Sequence, residues 1–286
     1  LADKPVVVLQ GALYGHELAD YVRYDLSAVI HCPEQADMLC DASLDQPLDV
    51  WLKLDSGMHR LGLDGQQLAS IHPRLEQSGN VAGIFLMSHF ANAEIVDDSL
   101  NNNQIENILK VNSDFCLAVS MANSAAIMQL PDSHFDVVRP GIMLYGSSPF
   151  ADRSAGELGL EPVMQYESVV IAVKKVAAGE SIGYGSTWVC EHDTNVAHIA
   201  AGYADGYPRH AASGTPVWLN GHRCPLLGRV SMDSICVDIS RVLQGGEVAV
   251  GDRVVLWGRE LSVDDVAACC GTISYELLCH AGAVNR

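Results

Sequence analysis

The sequence has no hydrophobic run long enough to cross a membrane, and it has few basic residues. A membrane-spanning helix needs about 20 mainly apolar residues. Because no such run occurs in the 286 residues, we expect no membrane partner. Lys and Arg number 17 against 35 Asp and Glu, which gives a formal net charge of −18. Because binding to a phosphate backbone needs a basic face, this charge argues against a nucleic-acid partner.

Cysteine pairs and nucleotide-binding loops are also missing. The nine cysteines contain no CxxC motif and stand singly apart from Cys269–Cys270, which is typical of reduced thiols and indicates a cytoplasmic protein. No GxGxxG loop, Walker loop or GxSxG elbow occurs, which argues against a dinucleotide-binding domain, a P-loop NTPase and an α/β-hydrolase. The histidines and cysteines show no metal-ligand spacing, so we expect no metal site.

Length and hydrophobic pattern predict two domains. A chain of 286 residues holds about two domains at ~150 residues each. Up to about residue 157, short apolar runs alternate with helical patterns, which predicts βαβ units and a parallel sheet. After Gly156, strand signals crowd together between glycine-rich turns, which predicts a mainly antiparallel β domain. We therefore expect an α/β domain over residues 1–157 and a β domain over residues 158–286.

The predicted strands of the first domain are too few for a closed (β/α)₈ barrel, which needs eight strands and about 250 residues. They are Val6–Leu9, Ala28–His31, Val50–Leu54, Val81–Met87, Phe115–Val119 and Val137–Tyr145. The helical patterns between them are Glu17–Tyr24, Pro33–Leu39, Gly65–Ser78, Asp97–Val111 and a short one from Ser124. This pattern leaves two alternatives open, an open sheet or a barrel that lacks two strands.

Charged side chains follow two of the predicted strands directly. Lys53 and Arg60 lie in the segment WLKLDSGMHRLG, and His89 follows the next strand along the chain. Active sites of parallel barrels lie at these carboxyl ends, so the three residues are candidate site residues. A buried ammonium is costly unless it is paired, and a salt bridge between Lys53 and Asp55 is the structural alternative. A lone histidine such as His89 also often has a purely structural role.

Two later strand ends predict a site for an anion. Asn123 and Ser124 open a helix, where Asn123 suits an N-cap and the free backbone N–H groups favour an anion. Arg139 and Gly141 follow the next predicted strand, and glycine permits close approach of a ligand to the backbone. Because phosphate sites are common at late barrel loops, these residues indicate a phosphorylated ligand.

In the second domain, tyrosines lie at glycine-rich turns. Tyr184 stands between two glycines, and Tyr203 lies in the segment GYADGYPR. Flanking glycines favour turns that expose the phenol, although tyrosines at strand ends are often only packing residues. The segments GRVSMD and ISYE add short polar clusters. Residue chemistry alone thus predicts a site rich in Tyr, Lys and Arg that takes a phosphorylated ligand.

Read in order along the chain, the motifs resemble those of the alanine racemase family. They are WLKLDSGMHRLG, SHFANAE, ANSA, VRPGIMLYG, GYGSTW, GYADGYPR, GRVSMD and TISYE. The resemblance implies a (β/α)₈ barrel, a C-terminal β domain and the cofactor pyridoxal 5'-phosphate. It also implies interconversion of L-alanine and D-alanine, which supplies D-alanine for peptidoglycan. A broad-specificity amino-acid racemase and a non-catalytic cofactor-binding homologue are the alternatives.

The resemblance implies a role for each matched residue. Tyr184 exchanges the α-proton of the substrate on one face. Arg139 faces the pyridine nitrogen of the cofactor, to which a guanidinium can only donate, and His89 orients Arg139. Lys53 is carbamylated and paired with Arg60, which lies near the substrate carboxylate. The residues implied at the cofactor phosphate or its pocket are Asn123, Ser124, Gly141, Ile142 and Tyr275, and those implied on the substrate side are Tyr203, Met232 and Asp233.

In such a family member, Tyr184, Tyr203 and Met232 come from the partner subunit. The resemblance therefore implies a head-to-tail homodimer with composite sites.

One element of the family pattern has no match. The cofactor needs a lysine for its covalent attachment, and the family carries it in a KANAYGHG-like motif at the end of the first barrel strand. None of the lysines here lies in such a motif; they are Lys4, Lys53, Lys110, Lys174 and Lys175. The chain also starts abruptly at Leu1, without a methionine or a signal peptide. We therefore expect that an N-terminal part of the barrel is missing and that the 286-residue chain alone is inactive.

Overall fold

The computed structural model describes residues 4–282. The abrupt start at Leu1 lies outside this range. The chain divides into two compact units, with the boundary between Gly141 and Ile142. This boundary precedes the expected one after residue 157, because the connecting segment packs with the second unit. Ile142 belongs to the core of that unit, and Ser147 donates a hydrogen bond to Asp264.

The first unit is a five-stranded parallel sheet with its strands in sequence order. The strands are β1 (Val6–Val8), β2 (Leu26–Ile30), β3 (Leu48–Lys53), β4 (Val81–Met87) and β5 (Val119–Ser120). The helices are α1 (Leu18–Arg23), α2 (Pro33–Asp41), α3 (Gly65–Gln77), α4 (Ser99–Asn112) and α5 (Ser124–Gln129). The predicted alternation of strands and helices is confirmed for these elements.

Buried parallel strands need apolar side chains on both faces, and this explains the near-continuous apolar runs. Val29, Val50 and Leu52 are all 0% exposed. Carboxylates fix where two helices begin, because their oxygens accept from backbone N–H groups of the first turn. Asp64 accepts from Gln67 N at the start of α3, and Asp98 accepts from Leu100 N at the start of α4.

Two strand predictions of the first unit need correction. The predicted strand Val137–Tyr145 is wrong: Val137 forms only an isolated bridge with Ser120, and Ile142–Tyr145 is a 3-10 helix. Pro140 lacks the N–H that a strand needs, so the run cannot continue as a strand. The run Phe115–Val119 is mostly loop, because Cys116 has a positive φ of 53° that breaks the extended backbone.

The second unit contains a six-stranded antiparallel sheet and two helices, as the prediction of a mainly antiparallel domain requires. Its strands are β6 (Tyr166–Val176), β7 (Ser181–Ile182), β8 (Trp188–Val189), β9 (Thr194–Ile199), β10 (Pro216–Leu219), β11 (His222–Pro225), β12 (Ile235–Asp238) and β13 (Arg253–Trp257). The order in the large sheet is β11-β10-β13-β6-β9-β12, and β7 and β8 form a separate hairpin. The helices are α6 (Val263–Cys269) and α7 (Ser274–Gly282).

Helix α7 was not predicted from the sequence, although its buried residue Leu277 packs in the core of the second unit. The sequence over Val263–Cys270 has a helical pattern, and the structure forms α6 there. No helix within residues 4–282 has both the length and the apolar character needed to span a membrane.

Candidate active site

The carboxyl ends of β3, β4 and β5 bring the predicted cationic residues of the first unit together. Lys53 is the last residue of β3, and His89 follows β4 after one residue. Arg139 reaches back to the same edge of the sheet and donates to Ser120, the last residue of β5, and to Ser88, the residue after β4. Parallel strands end at one edge, so residues far apart in sequence meet there.

Three close acceptors hold the Arg139 guanidinium, and a fourth, Met121 O, lies 3.4 Å from Nη2. Its Nη1 donates to Ser120 Oγ at 2.6 Å. Its Nη2 donates to the Ser88 carbonyl oxygen at 2.6 Å and to His89 Nδ1 at 3.1 Å. Burial lowers the pKa of Arg139 to about 10, so the group keeps its charge at neutral pH. The three bonds fix the plane of a cation that can only donate.

Arg139 determines the protonation state of His89. Because a guanidinium has no acceptor, His89 Nδ1 must accept from Arg139, and the ring proton then lies on Nε2. Burial above all, and then the positive charges of Arg139, Arg60 and Lys53, lower the pKa of His89 to about 4. His89 is therefore a neutral imidazole at neutral pH.

The surroundings of Lys53 disfavour its charged ammonium form. Burial above all, and then Arg60 and Arg139, lower the pKa of Lys53, and Asp55 opposes them only in part. The Asp55 carboxylate accepts instead from the backbone and ring of His59, at 3.0 Å and 3.1 Å. Among the described residues, the structural alternative for Lys53, a salt bridge with Asp55, is not formed. Arg60 itself is exposed.

The residues for which the sequence predicts an anion site lie within the segment 123–141, which follows β5. Asn123 is the N-cap of α5, and its Oδ1 accepts from Ala126 N at 3.0 Å, so the structural role predicted for it is confirmed. Ser124 is 2% exposed, and its Oγ accepts from Gly141 N at 2.8 Å. This bond joins the start of α5 to the segment after Arg139.

Ile142 is placed differently from the other residues that the resemblance assigned to the cofactor pocket. Its side chain is 3% exposed and packs in the core of the second unit. Its side chain is therefore used in packing, and only its backbone is left for a ligand. Tyr275 lies near the start of α7 and is 46% exposed.

Tyr184 is presented on a turn of the second unit. It opens a short 3-10 helix, Tyr184–Ser186, directly after β7, and its side chain is 69% exposed. Gly183 and Gly185 on either side have φ of 78° and 74°, a region that residues with a Cβ rarely adopt. The two glycines therefore force the turn that exposes the phenol. The Arg229 guanidinium lies beside Gly185, with its Cζ 3.5 Å from the place of a Cβ.

Tyr203, Met232 and Asp233 come together on two loops that are bonded to each other. Tyr203 N donates to Ser231 O at 3.1 Å, and Ala204 N donates to Met232 O at 3.0 Å. The loops approach so closely at Gly202 that a Cβ there would lie 2.1 Å from Met232 O. The side chains of Tyr203 and Met232 are 41% and 55% exposed, and Asp233 is exposed beside them.

Sequence reasoning missed four polar residues that hold this edge of the sheet: Ser56, Ser88, Gln104 and Ser120. All are buried, with exposures of 5%, 1%, 0% and 0%. Ser56 Oγ and Ser88 Oγ are 2.7 Å apart, and Gln104 Nε2 donates to Ser56 Oγ at 3.1 Å. The available signal was a glutamine on the apolar side of α4, since buried polar side chains need partners.

Comparison with known proteins assigns both parts of the chain. Residues 1–149 match the family "Alanine racemase, N-terminal domain", and residues 163–286 match "Alanine racemase, C-terminal domain". The chain is 49% identical to the biosynthetic alanine racemase of Pseudomonas aeruginosa over 97% of its own length and 76% of that protein. It is 47% identical to the alanine racemase of Vibrio atlanticus over 96% of its length and 76% of that protein.

Solved structures agree with the sequence relatives. The crystal structure of biosynthetic alanine racemase from Pseudomonas aeruginosa superposes with a TM-score of 0.93 at 47% identity, over 98% of this chain and 77% of that one. The alanine racemase structure from Acinetobacter baumannii gives 0.88 at 40% identity, over 97% and 77%. The family's N-terminal domain is thus present, and these matches do not support the expectation of a missing N-terminal segment. The chain belongs to the alanine racemase family.

Proposed function

We propose that the edge of the sheet where Arg139, His89 and Lys53 meet belongs to a site for the interconversion of L-alanine and D-alanine. The observation that carries the proposal is the hydrogen-bonded pair of Arg139 and His89, with Arg139 Nη2 and His89 Nδ1 3.1 Å apart. This pair presents a charged, buried donor next to a neutral imidazole, and neither group accepts a proton readily at neutral pH.

Members of the alanine racemase family depend on pyridoxal 5'-phosphate, and the residues present fit the non-covalent part of that group. Arg139 is a fixed donor for the ring nitrogen, because a guanidinium keeps its proton. Ser124 Oγ and Gly141 N lie side by side at the start of α5, where backbone donors and a hydroxyl suit a phosphate. Asn123 and the Ile142 backbone flank them, and we assign Tyr275 to the same group. When bound, the cofactor supplies an electron sink for the bond to the α-hydrogen.

Arg139 controls how strong that sink is. A donor that never gives up its proton leaves the ring nitrogen without a full positive charge, so the ring withdraws electrons less strongly. This restraint favours simple return of a proton to the α-carbon over side reactions such as transamination. His89 holds the guanidinium in place through its Nδ1 acceptor.

We assign proton exchange at the α-carbon to the Tyr184 phenol oxygen. Its exposure of 69% and its glycine-bounded turn support a side chain that projects into a site rather than into a core. The Arg229 guanidinium lies beside Gly185, the residue that follows Tyr184.

We assign recognition of the substrate carboxylate to Arg60 and carbamylation to Lys53. Lowering of the Lys53 pKa by burial and by Arg60 and Arg139 increases the neutral amine, which is the form that reacts with carbon dioxide. The carbamate is an anion, so it relieves the repulsion among the cations and pairs with Arg60.

We also propose a head-to-tail homodimer in which Tyr184, Tyr203 and Met232 serve the site of the partner subunit. All three side chains are exposed, and aromatic and methionine side chains are typical of interfaces and binding surfaces. The cytoplasmic location inferred from the cysteines stays a prediction.

Full racemisation needs a second proton-exchanging group on the opposite face of the α-carbon and a lysine that attaches the cofactor. Among the five lysines of the sequence, only Lys53 belongs to this cluster, and it is assigned to carbamylation. We therefore propose that the 286-residue chain by itself exchanges the α-proton on one face but does not racemise.

The test incubates the chain with pyridoxal phosphate and each alanine enantiomer in deuterium oxide. We expect deuterium to enter one enantiomer without formation of the other, no cofactor covalently attached to the protein after borohydride reduction, and loss of exchange in Tyr184→Phe. Racemisation by the chain alone would overturn the claim that it needs a further lysine. Absence of any exchange at saturating cofactor would overturn the assignment of the site. Equal exchange of Ala, Ser, Lys and Arg would favour a broad-specificity racemase.

A further inference from the structure

Helix α4 carries a buried glutamine whose amide joins two loops of the site. Gln104 is 0% exposed. Its Nε2 donates to Ser56 Oγ at 3.1 Å and to the His89 carbonyl oxygen at 2.9 Å. Its Oε1 accepts from Ala91 N at 3.0 Å. The amide thus uses both donors and its acceptor on the loops that follow β3 and β4.

Hydrogen bonds of Ser56 and Ser88 connect Gln104 to Arg139. Ser56 Oγ lies 2.7 Å from Ser88 Oγ, and Ser88 Oγ donates to Leu54 O at 2.8 Å. The Ser88 carbonyl oxygen accepts from Arg139 Nη2 at 2.6 Å. Gln104 therefore contacts the backbone of His89 directly, and it contacts the residue beside His89 through one serine.

A second observation sets Gln104 apart from other buried polar groups of α4. Asn101 lies one turn earlier and is 1% exposed, but its Nδ2 donates to Asn92 O at 3.2 Å and Ile95 O at 2.9 Å, away from His89. Asn101 Oδ1 has no hydrogen-bond partner. Of these two amides, that of Gln104 has partners for its donors and its acceptor, and these partners lie on the loops that carry Ser56 and His89.

We propose that Gln104 is a positioning residue of the active site. Its amide holds the loop after β4 against the loop after β3, and this keeps the His89 ring in line with Arg139 Nη2. An apolar residue of the same size fills the same space without joining the loops. The role in racemisation rests on the proposed function, whereas the alignment of His89 with Arg139 is a property of the chain itself.

The test compares Gln104→Met with Asn101→Leu, which removes a buried amide of the same helix that does not reach His89. The full chain is labelled with nitrogen-15 at histidine, and His89 is assigned with His89→Gln. In Gln104→Met we expect the His89 pKa to rise from about 4 towards its ordinary value of 6.5, because the ring moves away from Arg139 and gains solvent. In Asn101→Leu we expect it to stay near the wild-type value.

Proton exchange at alanine is measured on the same samples. We expect a loss of about tenfold or more in the rate constant for Gln104→Met, the size seen when groups that orient active-site ligands are removed, and less than twofold for Asn101→Leu. Ser56→Ala removes the hydroxyl that accepts from Gln104 Nε2. This variant replaces Gln104→Met in the test if Gln104→Met does not fold. An unchanged His89 pKa in both Gln104→Met and Ser56→Ala overturns the proposal. An altered pKa with no exchange in the wild type refutes the proposed function but keeps the positioning role.

Discussion

Replacement of Arg139 by lysine tests whether the fork of the guanidinium, and not its charge alone, organises the site. Arg139 uses two nitrogens: Nη1 donates to Ser120 Oγ at 2.6 Å, and Nη2 donates to Ser88 O at 2.6 Å and His89 Nδ1 at 3.1 Å. A lysine has one terminal nitrogen, so it cannot serve both sides of this arrangement at once.

The expected cost follows from the lost bond. A hydrogen bond from a charged donor contributes about 1.5–3 kcal/mol, and Ser120 is 0% exposed, so its hydroxyl gains no water in exchange. We expect Arg139→Lys to lower the free energy of unfolding by about 2 kcal/mol. The measurement is urea unfolding of the full chain followed by tryptophan fluorescence, with variants compared only where the slope is unchanged.

The matched control is Arg74→Lys. Arg74 donates to Asp37 Oδ1 at 2.5 Å, but both side chains are about half exposed, at 48% and 51%. An exposed ion pair of this kind contributes only about 0–1 kcal/mol to the free energy of unfolding. A loss for Arg139→Lys below about 0.5 kcal/mol, the usual range of surface substitutions, refutes the claim that the fork holds the strand ends.

Three further outcomes are expected. Because the native state keeps His89 neutral down to a pKa of about 4 while the unfolded chain titrates near 6.5, the unfolded state binds more protons between these values. Stability should therefore fall by up to about 3 kcal/mol as pH drops through this window; in urea titrations, His89→Gln should lose this slope, and an unchanged slope would contradict the assignment. Gly202→Ala should separate the loop from Met232, because the new Cβ would lie 2.1 Å from Met232 O; a melting temperature equal to that of Gly245→Ala, at a glycine with open space and a negative φ, would argue against this contact. With carbon-13 bicarbonate at mildly alkaline pH, carbon NMR should detect a carbamate that is missing in Lys53→Gln, and its absence from the wild type would exclude carbamylation.

The sequence by itself determined the family and the class of each domain, and it predicted residues for the site. Motif order needs no geometry, and alternation of strands and helices follows from hydrophobic period. That is why β2, β3 and β4 were predicted close to their observed bounds. The clustering of Lys53, His89 and Arg139 was also foreseen, because the carboxyl ends of parallel strands share one edge.

Other features depended on contacts between residues far apart in sequence. The run Val137–Tyr145 has the apolar character of a strand, yet Pro140 interrupts it and Ile142 packs in the second unit. The boundary between the units follows these contacts and not the change in composition after Gly156. Helix α7 was missed because its apolar residues are explained only by the core that they enter.

The buried polar residues of the site show most clearly what the sequence alone does not predict. From the sequence, Gln104 is one of several polar residues of α4, and only its spacing of four residues from Leu100 and Ile108 places it on the apolar side. Only the tertiary structure decided that its amide meets Ser56 and His89, because burial removes water and leaves each donor and acceptor dependent on a protein partner. Sequence determined which chemical groups are present at the strand ends, and the packing of α4 against the loops decided how those groups are held.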